Sequence, residues 1–454
     1  MYPINNLQTA VDLSGNKTYF LDPCSSFSNV RNDSKETFIK HKLEQIQETM
    51  ISFSAALNIC LKEVNELIHT EDVPLDQALG RVLREDIYSP FDLPPFSKSV
   101  MDGYAVNKQD LANLSDQHPV NLKICGHIRA GSSVIESLKH GCAMRIMTGA
   151  PIPPGADAVI KIEDTVSNGD HVQILRKTGE NDFIIPKGQD IQQGQCVISK
   201  GTVSGPAELG MLSGLGQMQV SVSQIPKVAI ISTGDELVSS KDKREPHQIY
   251  DINGYALLGM LQKSGALPKY LGIIKDNEHD LIQAMRLLDN YHIVLISGGV
   301  SIGDYDMVQE ALLTTGIRKL FWKVRIKPGK PIFVGKRNEQ FIFGLPGNPV
   351  SSLVNFILFV RPVIDKLIGK KNIGIPTGQA TLLNDVYLSP GRRKFLRGSL
   401  QVDDGNVGVY IHELQQSGIY STMLQSNALV EVPGSIQSLQ AGKKVKIYDL
   451  TSLL

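Results

Sequence analysis

A buried strand runs directly into a glycine-rich loop and then into a helix in the stretch HIVLISGGVSIGDYDMVQEALL, residues 292–313. The apolar run up to residue 296 predicts the strand, and the residues from Met307 to Leu313 predict the start of the helix. Glycine lets the backbone approach a ligand closely, and the free amides at a helix N-terminus attract anions. The stretch therefore predicts a phosphate cradle in an α/β domain.

Asp304 and Asp306 in the same loop are open to two interpretations. Acidic residues are favoured in the first turn of a helix, so both could serve as caps. Two carboxylates beside a bound phosphate instead require a divalent cation such as Mg²⁺ between them. The loop by itself supports the two interpretations about equally.

A second apolar strand ends in an acidic turn at VAIISTGDEL, residues 228–237, and Asp251 precedes another helical stretch, residues 254–263. Ligands bind at the carboxyl ends of strands in open α/β sheets, so both turns can face one crevice. Asp251 is equally suited to a helix N-cap or an Asx turn. The rigid lysine loop IKPGKP, residues 326–331, can present ammonium groups to an oxyanion or to solvent.

Five separated segments match one family in the same order. They are PPFSKSVMDGYAV (94–106), RIMTGAP (145–151), STGDEL (232–237), SGGVSIGDYD (297–306), and KVRIKPGKP (323–331) together with GLPGNP (344–349). The chain thereby resembles molybdopterin molybdenumtransferase, a family that includes the E domain of gephyrin. The resemblance extends from about residue 51 to the C-terminus, and the combination is specific although each segment alone is weak.

The resemblance implies that molybdenum from molybdate is inserted into adenylylated molybdopterin with release of AMP, assisted by Mg²⁺ or Zn²⁺. It assigns catalytic roles to Asp102, Thr148, Asp190, Glu236, Asp251 and Asp306. Within that set, the expected metal ligands are Glu236, Asp251 and Asp306. It assigns substrate binding to Ser297, Gly298, Gly299, Ser301, Gly303, Lys323, Lys327, Lys330, Pro346, Gly347, Asn348 and Arg393. Carboxylates can hold a divalent ion against a phosphate, and lysines can attract the molybdate dianion.

Two features of the segments qualify these roles. The family usually has Asp-Asn where this chain has Ser97-Lys98, and alanine where it has Val100, so we expect an altered charge around Asp102. The segment MTGAPIPPGAD, residues 147–157, is rich in proline and glycine and by itself indicates a rigid connector. Only the resemblance gives Thr148 a functional role.

Composition excludes some classes of function. The 454 residues contain 46 Lys plus Arg and 46 Asp plus Glu, so no net field favours nucleic acid. The five cysteines are widely spaced and odd in number, so we expect neither a disulfide framework nor a structural zinc site, and we expect a reducing, cytoplasmic compartment. The most apolar stretch, residues 350–360, is too short to span a membrane and predicts a buried helix starting at Pro349.

Strand and helix patterns predict a multi-domain fold of the α/β plus β class. We expect a partly disordered N-terminal extension (1–50), a helix packing on the α/β domain (51–69), an elongated β-rich linker domain (70–90 and 192–223), an inserted β domain (91–191), a molybdopterin-binding α/β domain with a parallel-type sheet (224–372), and a C-terminal β barrel or sandwich (373–454). The apolar stripe expected on the first helix is Ile51, Leu57, Leu61, Val64 and Leu67.

Other functions and partners remain open at this stage. A molybdopterin adenylyltransferase would share the glycine-loop domain without needing the flanking β domains. A non-catalytic pterin-binding scaffold or carrier would need an exposed partner surface but no intact metal carboxylates. We expect a homodimer, together with transient contacts to the adenylyltransferase and to apo-molybdoenzymes.

Overall fold

The computed structural model describes residues 50–454 except 68, 116, 133–135, 178–182, 276 and 300–311, and it describes two strands within the first 49 residues. These two strands, Gln8–Val11 and Lys17–Phe20, form an antiparallel hairpin within the unit Met1–Ile51. The other compact unit is Ser52–Leu454. The predicted disorder and helical segment in the extension lie outside the described residues.

A six-stranded sheet forms the centre of the α/β domain. Its spatial order is Leu267–Ile274, Lys227–Thr233, Ile293–Ser297, Gln340–Leu345, Phe333–Arg337 and Arg318–Trp322. The first four strands are parallel neighbours, whereas the last two join by antiparallel pairing. Because helices cover this sheet, its central strands are apolar on both faces, as a parallel core requires.

The helices of the α/β domain are Asn253–Lys263, Glu278–Arg286, Pro349–Asn355 and Arg361–Leu367, with a π-helical turn at Phe356–Val360. Leu281 and Met285 pack against Val294 and Ile296 of the central strand. Residues 350–360 are fully enclosed. The prediction of a buried helix starting at Pro349 is therefore confirmed.

The helix Phe53–Glu63 packs beside Arg361–Leu367. Its buried residues are Phe53, Ala56 and Cys60, and of the predicted stripe Val64 is buried while Leu57 and Leu61 are partly buried. The prediction is therefore confirmed in part, because it located this face but missed the three most buried residues of the helix. The Phe53 ring is the anchor, with its centroid 5.7 Å from the Phe359 ring and 5.2 Å from the Phe395 ring.

Two distant chain segments build the elongated domain. Thr70–Pro74 pairs with Gln219–Ser223, and Ile87–Tyr88 pairs with Cys196–Ile198, both antiparallel. The remaining elements are the helix Pro206–Gly214 and a 3₁₀ turn at Leu75–Gln77. Leu83, Leu212 and Val222 are fully or almost fully buried in its core.

The inserted segment forms its own six-stranded sheet. Its order is Thr165–Asn168, His171–Ile174, Val120–Ile128, Cys142–Ile146, Gly103–Val106 and Ala158–Lys161. Lys98–Ser99 pairs separately with Ile184–Ile185. Two 3₁₀ turns occur at Lys108–Leu111 and Ile162–Asp164.

Cys125 and Cys142 form a disulfide between neighbouring strands of this sheet. The expectation of no disulfide framework is corrected for this pair. Strand Val120–Ile128 has a register shift between Ile124 and Gly126, so Cys125 lies at the irregularity. Seventeen residues separate the two cysteines, and only the parallel pairing of their strands brings them together.

The C-terminal domain is a closed β structure. Its strands are Ile326–Lys327, Arg393–Asp403, Asn406–Ile411, Thr377–Leu382, Lys444–Asp449 and Ala428–Val432. Arg393–Asp403 also pairs with Ala428–Val432, which closes the ring. A short pair, Val386–Tyr387 with Ser438–Leu439, and the helix Ser421–Leu424 complete the domain. The predicted fold class, multi-domain α/β plus β, is confirmed.

Within the described part of the chain, no helix combines the length and apolar character needed to cross a membrane.

Candidate active site

The carboxyl ends of three parallel strands form the edge at which the glycine loop begins. Ser232, Ser297 and Leu345 lie in register across these strands, and the Gly298 amide donates to the Leu345 carbonyl oxygen at 3.0 Å. Gly298 has φ of 111°, and a Cβ there would lie 2.1 Å from the Thr233 carbonyl oxygen. Only glycine fits this close approach.

Asn253 ties the glycine loop to the neighbouring loop that contains Pro346, Gly347 and Asn348. Its side-chain nitrogen donates to Ser297 Oγ at 2.8 Å and to the Gly347 carbonyl oxygen at 2.8 Å. Its Oδ1 is buried and has no hydrogen-bond partner among the residues that the structure describes. Since Gly347 and Asn348 are exposed, the loop that contains them presents an open surface above a fixed base.

Asp251 is held by three hydrogen bonds at the start of the helix Asn253–Lys263. The Ser232 hydroxyl and the Tyr270 hydroxyl both donate to Oδ2 at 2.6 Å, and the Gly254 amide donates to Oδ1 at 3.1 Å. Burial, followed by the Asp251 carboxylate, raises the pKa of Tyr270, so its hydroxyl stays a donor. The hydrogen bond from the Gly254 amide shows that Asp251 caps this helix, as one of the two interpretations predicts. A carboxylate can accept about four hydrogen bonds, so Asp251 can bind one further partner.

Glu236 and Asp251 flank a short parallel pairing, Glu236 just before its first strand and Asp251 just after its second. Leu237–Val238 pairs with Ile249–Tyr250, and the Ile249 amide donates to the Glu236 carbonyl oxygen at 2.8 Å. The Glu236 carboxylate folds back over Gly234, where a Cβ would lie 2.7 Å from its Oε2. Among the described residues, this exposed carboxylate has no hydrogen-bond partner.

The donors near this edge are oxygen atoms, which suits a hard cation. They include the carboxylates of Glu236 and Asp251. They also include the buried Asn253 Oδ1 and Thr233 Oγ1, which have no hydrogen-bond partner in the described part of the chain. Mg²⁺ prefers such oxygen ligands, whereas Zn²⁺ favours nitrogen and sulfur. The described residues contain no group of three His, Cys, Asp or Glu side chains placed to hold a metal. Because Asp306 lies outside them, the predicted three-carboxylate set remains a prediction.

The lysine loop is closed at its base by backbone hydrogen bonds. The Lys323 amide donates to the Ile332 carbonyl oxygen at 3.1 Å, and the Val324 amide donates to the Lys330 carbonyl oxygen at 3.0 Å. Lys323 has φ of 65°, and its Nζ lies 3.2 Å from the centroid of the Trp322 ring. The loop is thus rigid, as its prolines and glycine predict.

Lys327 and Arg393 differ in their availability for an anion. Lys327 is exposed at the end of the strand Ile326–Lys327. Arg393 instead forms an ion pair with Glu431, with Nη1 2.9 Å from Oε1. A substrate anion at Arg393 would therefore share the guanidinium with a carboxylate, whereas Lys327 can engage one directly.

Asp102 and Thr148 form a second group, in the inserted domain. The Thr148 amide and hydroxyl both donate to Asp102 Oδ1, at 2.7 and 2.8 Å. These bonds, with a smaller contribution from the Arg145 charge, lower the pKa of Asp102. The connector of residues 147–157 thus favours the ionised form of the exposed Asp102 carboxylate through Thr148.

Ser97 and Lys98, the family departures, have structural roles in this domain. Ser97 Oγ accepts a hydrogen bond from the Lys187 amide at 3.1 Å, and Lys98 lies in the strand pair with Ile184–Ile185. Arg145, and not Lys98, is the cation that lowers the pKa of Asp102. Asp190 is exposed. Its amide donates to the Leu93 carbonyl oxygen at 3.0 Å.

The structure therefore assembles the predicted residues into two groups. The strand edge brings together Ser297, Gly298, Gly347 and Asp251, and the Glu236 carboxylate lies over Gly234, just after the end of one of the same strands. In the described part of the chain, Asp102 and Thr148 bond to each other and not to the α/β domain. Ser301, Gly303 and Asp306 lie outside the described residues.

Three family models together match most of the chain. They are the MoeA N-terminal region (domain I and II) at residues 51–216, a probable molybdopterin binding domain at 229–366, and the MoeA C-terminal region (domain IV) at 379–450. The chain belongs to the molybdopterin molybdenumtransferase family. The predicted family is thus confirmed, and the second match contains the strand edge and lysine loop.

Individual relatives agree with this assignment. A molybdopterin molybdenumtransferase from Nostoc sp. is 36% identical over 392 residues, covering 84% of this chain and 89% of the relative. Another from Haemophilus influenzae is 34% identical and covers 89% of this chain and 100% of the relative. The crystal structure of the molybdopterin biosynthesis moeA protein from Pyrococcus horikoshii OT3 has a TM-score of 0.77 at 32% identity, covering 88% and 100%. The chain is an enzyme of this family, with a role in molybdenum cofactor biosynthesis.

Sequence reasoning missed several residues that shape the site of this molybdenumtransferase homologue. Ser232 stands inside the STGDEL segment, and Asn253 lies between Asp251 and the predicted helical stretch, so their position was a usable signal. Tyr270 lies in a strand without any motif, and only the sheet order brings its hydroxyl to Asp251.

Proposed function

We propose that this protein inserts molybdenum from molybdate into adenylylated molybdopterin, releasing AMP and forming molybdenum cofactor. The observation that carries the proposal is the strand edge, where the Gly298 backbone approaches Thr233 closely and the Asp251 carboxylate is held by Ser232 and Tyr270. The Glu236 carboxylate and the lysine loop belong to the same matched region, residues 229–366. Glycine backbone suits a phosphate, carboxylates suit a divalent cation, and ammonium groups suit an oxyanion. A reaction between a phosphate ester and a metal oxyanion uses all three.

The chain's own residues have separable tasks in this reaction. The turn at Gly298 and Gly299 lets the pterin phosphate approach the backbone closely, and Lys327 attracts molybdate from solvent. Glu236 and Asp251 would hold Mg²⁺, with Ser232 and Tyr270 fixing the orientation of the Asp251 carboxylate. When bound, Mg²⁺ would neutralise the charge that develops on the adenylyl phosphate.

The deciding experiment measures AMP release from adenylylated molybdopterin by the purified protein, with and without molybdate and Mg²⁺. Reconstitution of an apo-molybdoenzyme reports whether the product is active cofactor. Molybdate-dependent AMP release with reconstitution supports the proposal. Tight nucleotide binding without turnover would instead indicate a scaffold, and formation of the adenylylated pterin from ATP would indicate an adenylyltransferase.

We further infer that the enzyme acts as a homodimer. Exposed apolar side chains surround Asp251 in the chain, with Ile249, Tyr250, Ile252 and Tyr255 each 42–54% exposed. Such a patch beside charged residues is typical of an interaction site. A second copy would cover it, and light scattering at monomer mass over the working concentration range would refute this.

We propose that the protein is cytoplasmic, because its cysteines are odd in number and widely spaced, as is usual in a reducing compartment. Cys125 and Cys142 are nevertheless bonded to each other. Transfer of the product would involve transient contact with an apo-molybdoenzyme, and receipt of the substrate would involve contact with the adenylyltransferase. Co-purification of either partner with the tagged protein tests these contacts.

A further inference from the structure

A cleft lies between the elongated domain and the α/β domain. Its volume is about 440 Å³, which falls within the size range of small-molecule pockets. One wall comes from residues 79–82, 203 and 223–225 of the elongated domain. The other wall comes from the ends of two helices of the α/β domain, at residues 262–267 and at Arg361, Asp365, Ile368 and Lys370.

The cleft lies at the opposite ends of the strands from the catalytic edge. Residues 224–225 immediately precede the strand Lys227–Thr233, and residues 264–266 precede the strand Leu267–Ile274. The glycine loop instead follows the carboxyl ends of the strands. Because a strand of 7 residues spans about 23 Å, a ligand in the cleft and a substrate at Gly298 would occupy separate sites.

Positive charge is in excess on the α/β wall of the cleft. The Arg361 Nε donates to both carboxylate oxygens of Asp365 at 3.0 Å, and Lys370 Nζ lies 3.4 Å from Oδ1 of the same carboxylate. Asp365 therefore neutralises only one of these two cations. Lys263 also lines the cleft, is exposed, and forms no ion pair among the described residues. The wall thus carries two positive charges that no carboxylate of the wall balances.

The elongated-domain wall adds a balanced ion pair and an unused hydroxyl. Arg81 Nη2 lies 3.1 Å from a Glu71 carboxylate oxygen and donates to the Ser223 carbonyl oxygen at 2.8 Å. Ser223 is 3% exposed, and its Oγ has no hydrogen-bond partner among the residues that the structure describes. Buried hydroxyls are normally hydrogen-bonded. A partner from outside the chain would therefore satisfy Ser223.

Arg361 retains hydrogen-bond donors for a ligand. Its Nη1 donates to Ser264 Oγ at 3.0 Å, which holds the guanidinium beside the end of the helix Asn253–Lys263. A guanidinium has five N–H donors, so the bonds to Asp365 and Ser264 do not use all of them. Apolar side chains also line the cleft, namely Leu79, Val82, Val203, Ile225, Leu267 and Ile368.

We propose that this cleft binds a phosphate monoester of a small organic molecule, with the phosphate between Lys263, Arg361 and Lys370. A phosphate monoester carries about two negative charges at pH 7, which matches the excess charge of this wall. The planar guanidinium of arginine suits phosphate because it can donate two parallel hydrogen bonds. The organic part would lie on the apolar side chains and hydrogen-bond to the Ser223 hydroxyl. Binding in this cleft does not require the proposed reaction.

The alternative role of these cations is to stabilise helix ends. Lys263 ends the helix Asn253–Lys263, and Lys370 follows the helix Arg361–Leu367. Cations in such positions interact favourably with the helix dipole. That role alone explains neither the open cleft nor the unused Ser223 hydroxyl, and it predicts that the protein binds no phosphate ester there.

The first test is isothermal titration calorimetry of the full-length protein with ribose 5-phosphate, and with ribose as its neutral counterpart. We expect saturable binding of the phosphate ester and no binding of ribose. Lys263→Glu should raise the Kd about 10- to 100-fold, as for a lost hydrogen bond to a charged group. Lys269→Glu is the matched control, because it reverses an exposed lysine of the same domain that does not line the cleft. Its Kd should equal that of wild type.

Lys327→Glu separates the cleft from the catalytic edge, where a phosphate ester can also bind. A wild-type Kd in Lys327→Glu together with a raised Kd in Lys263→Glu supports the cleft. The reverse pattern overturns it, as does a wild type that binds neither ribose 5-phosphate nor inorganic phosphate. A protein that releases no AMP but binds ribose 5-phosphate through Lys263 would refute the proposed reaction and keep the cleft site.

Ser223→Ala tests the hydroxyl without changing any charge. Without ligand, the variant should melt at or above the wild-type temperature, because it removes a buried hydroxyl that has no partner. Ribose 5-phosphate should raise its melting temperature less than it raises that of wild type, and an equal rise would contradict the role of Ser223. Comparison with AMP in the Lys327→Glu background identifies the source of the phosphate. A lower Kd for AMP assigns the cleft to a nucleotide, and a lower Kd for ribose 5-phosphate assigns it to a sugar phosphate.

Discussion

Replacing Gly298 with alanine should destabilise the protein and disable the strand edge together. A Cβ at this position would lie 2.1 Å from the Thr233 carbonyl oxygen and 2.7 Å from its Oγ1. Ordinary contact begins at 3.4 Å, so the two backbones must separate by 1.3 Å, the difference between 3.4 Å and 2.1 Å. The positive φ of 111° at Gly298 adds a second cost, because residues other than glycine rarely adopt this backbone conformation.

These two effects set the expected magnitude. Backbone strain costs about 1–3 kcal/mol and overpacking about 1–3 kcal/mol, so the free energy of unfolding should fall by about 2–6 kcal/mol. A displacement near 1 Å in a substrate-binding loop costs about 100-fold in rate. Urea denaturation measures the first quantity, and molybdate-dependent AMP release measures the second.

Gly347→Ala is the matched control in the facing loop. A Cβ at Gly347 would meet nothing closer than the Gly298 Cα at 3.8 Å. This variant should keep its free energy of unfolding within about 1 kcal/mol of wild type. If Gly298→Ala were as stable as Gly347→Ala, the close approach to Thr233 would not constrain the loop, and the reasoning would be refuted.

Three further variants probe other parts of the molecule. Glu236→Gln should lower AMP release at least 100-fold, because the proposed Mg²⁺ would lose a charged ligand. Its free energy of unfolding should change by no more than about 0.5 kcal/mol, because the carboxylate is exposed and has no hydrogen-bond partner among the described residues. Thr148→Val removes one of two hydrogen bonds to Asp102, so the pKa of Asp102 should rise, as carbon-detected NMR titration would record. A carboxyl with a lowered pKa stabilises the fold above its unfolded pKa and loses that contribution as pH falls through the folded value. Acid unfolding of the variant should therefore begin at higher pH. Asp365→Asn should cost about 3–5 kcal/mol in urea denaturation, since its fully buried carboxylate is an ion-pair partner.

Each of these variants has a control and a contrary outcome. Glu85→Gln changes another exposed carboxylate and should leave AMP release unchanged, and full activity in Glu236→Gln would remove that residue from the site. An Asp102 pKa unchanged in Thr148→Val would contradict the hydroxyl contribution. Asp289→Asn breaks an exposed pair with Arg337 and should cost less than about 1 kcal/mol. An equally small effect for Asp365→Asn would contradict the role of its buried pair.

The amino-acid sequence by itself determined the family, the fold class and the identity of the glycine loop. Those features depend on local patterns: apolar runs predict strands, Pro349 predicts a helix start, and glycine spacing predicts a close backbone approach. The alternation of strand and helix around residues 227–371 likewise required no tertiary information. The stripe on the helix Phe53–Glu63 was predicted only in part, because the residue that anchors the helix, Phe53, is identified by its contacts with Phe359 and Phe395, which are distant in sequence.

Only the tertiary structure decided which residues meet. The sheet order brings Tyr270 to Asp251, and parallel pairing joins Cys125 to Cys142. The family resemblance selected Arg393 for substrate binding, but its neighbours Arg392, Lys394 and Arg397 are also basic. Strand alternation divides that group, because it sends Arg393 to Glu431 and leaves Lys394 buried beside Lys327. Spacing along the chain carries no record of such partners, since burial and counter-charge come from elements that are distant in sequence.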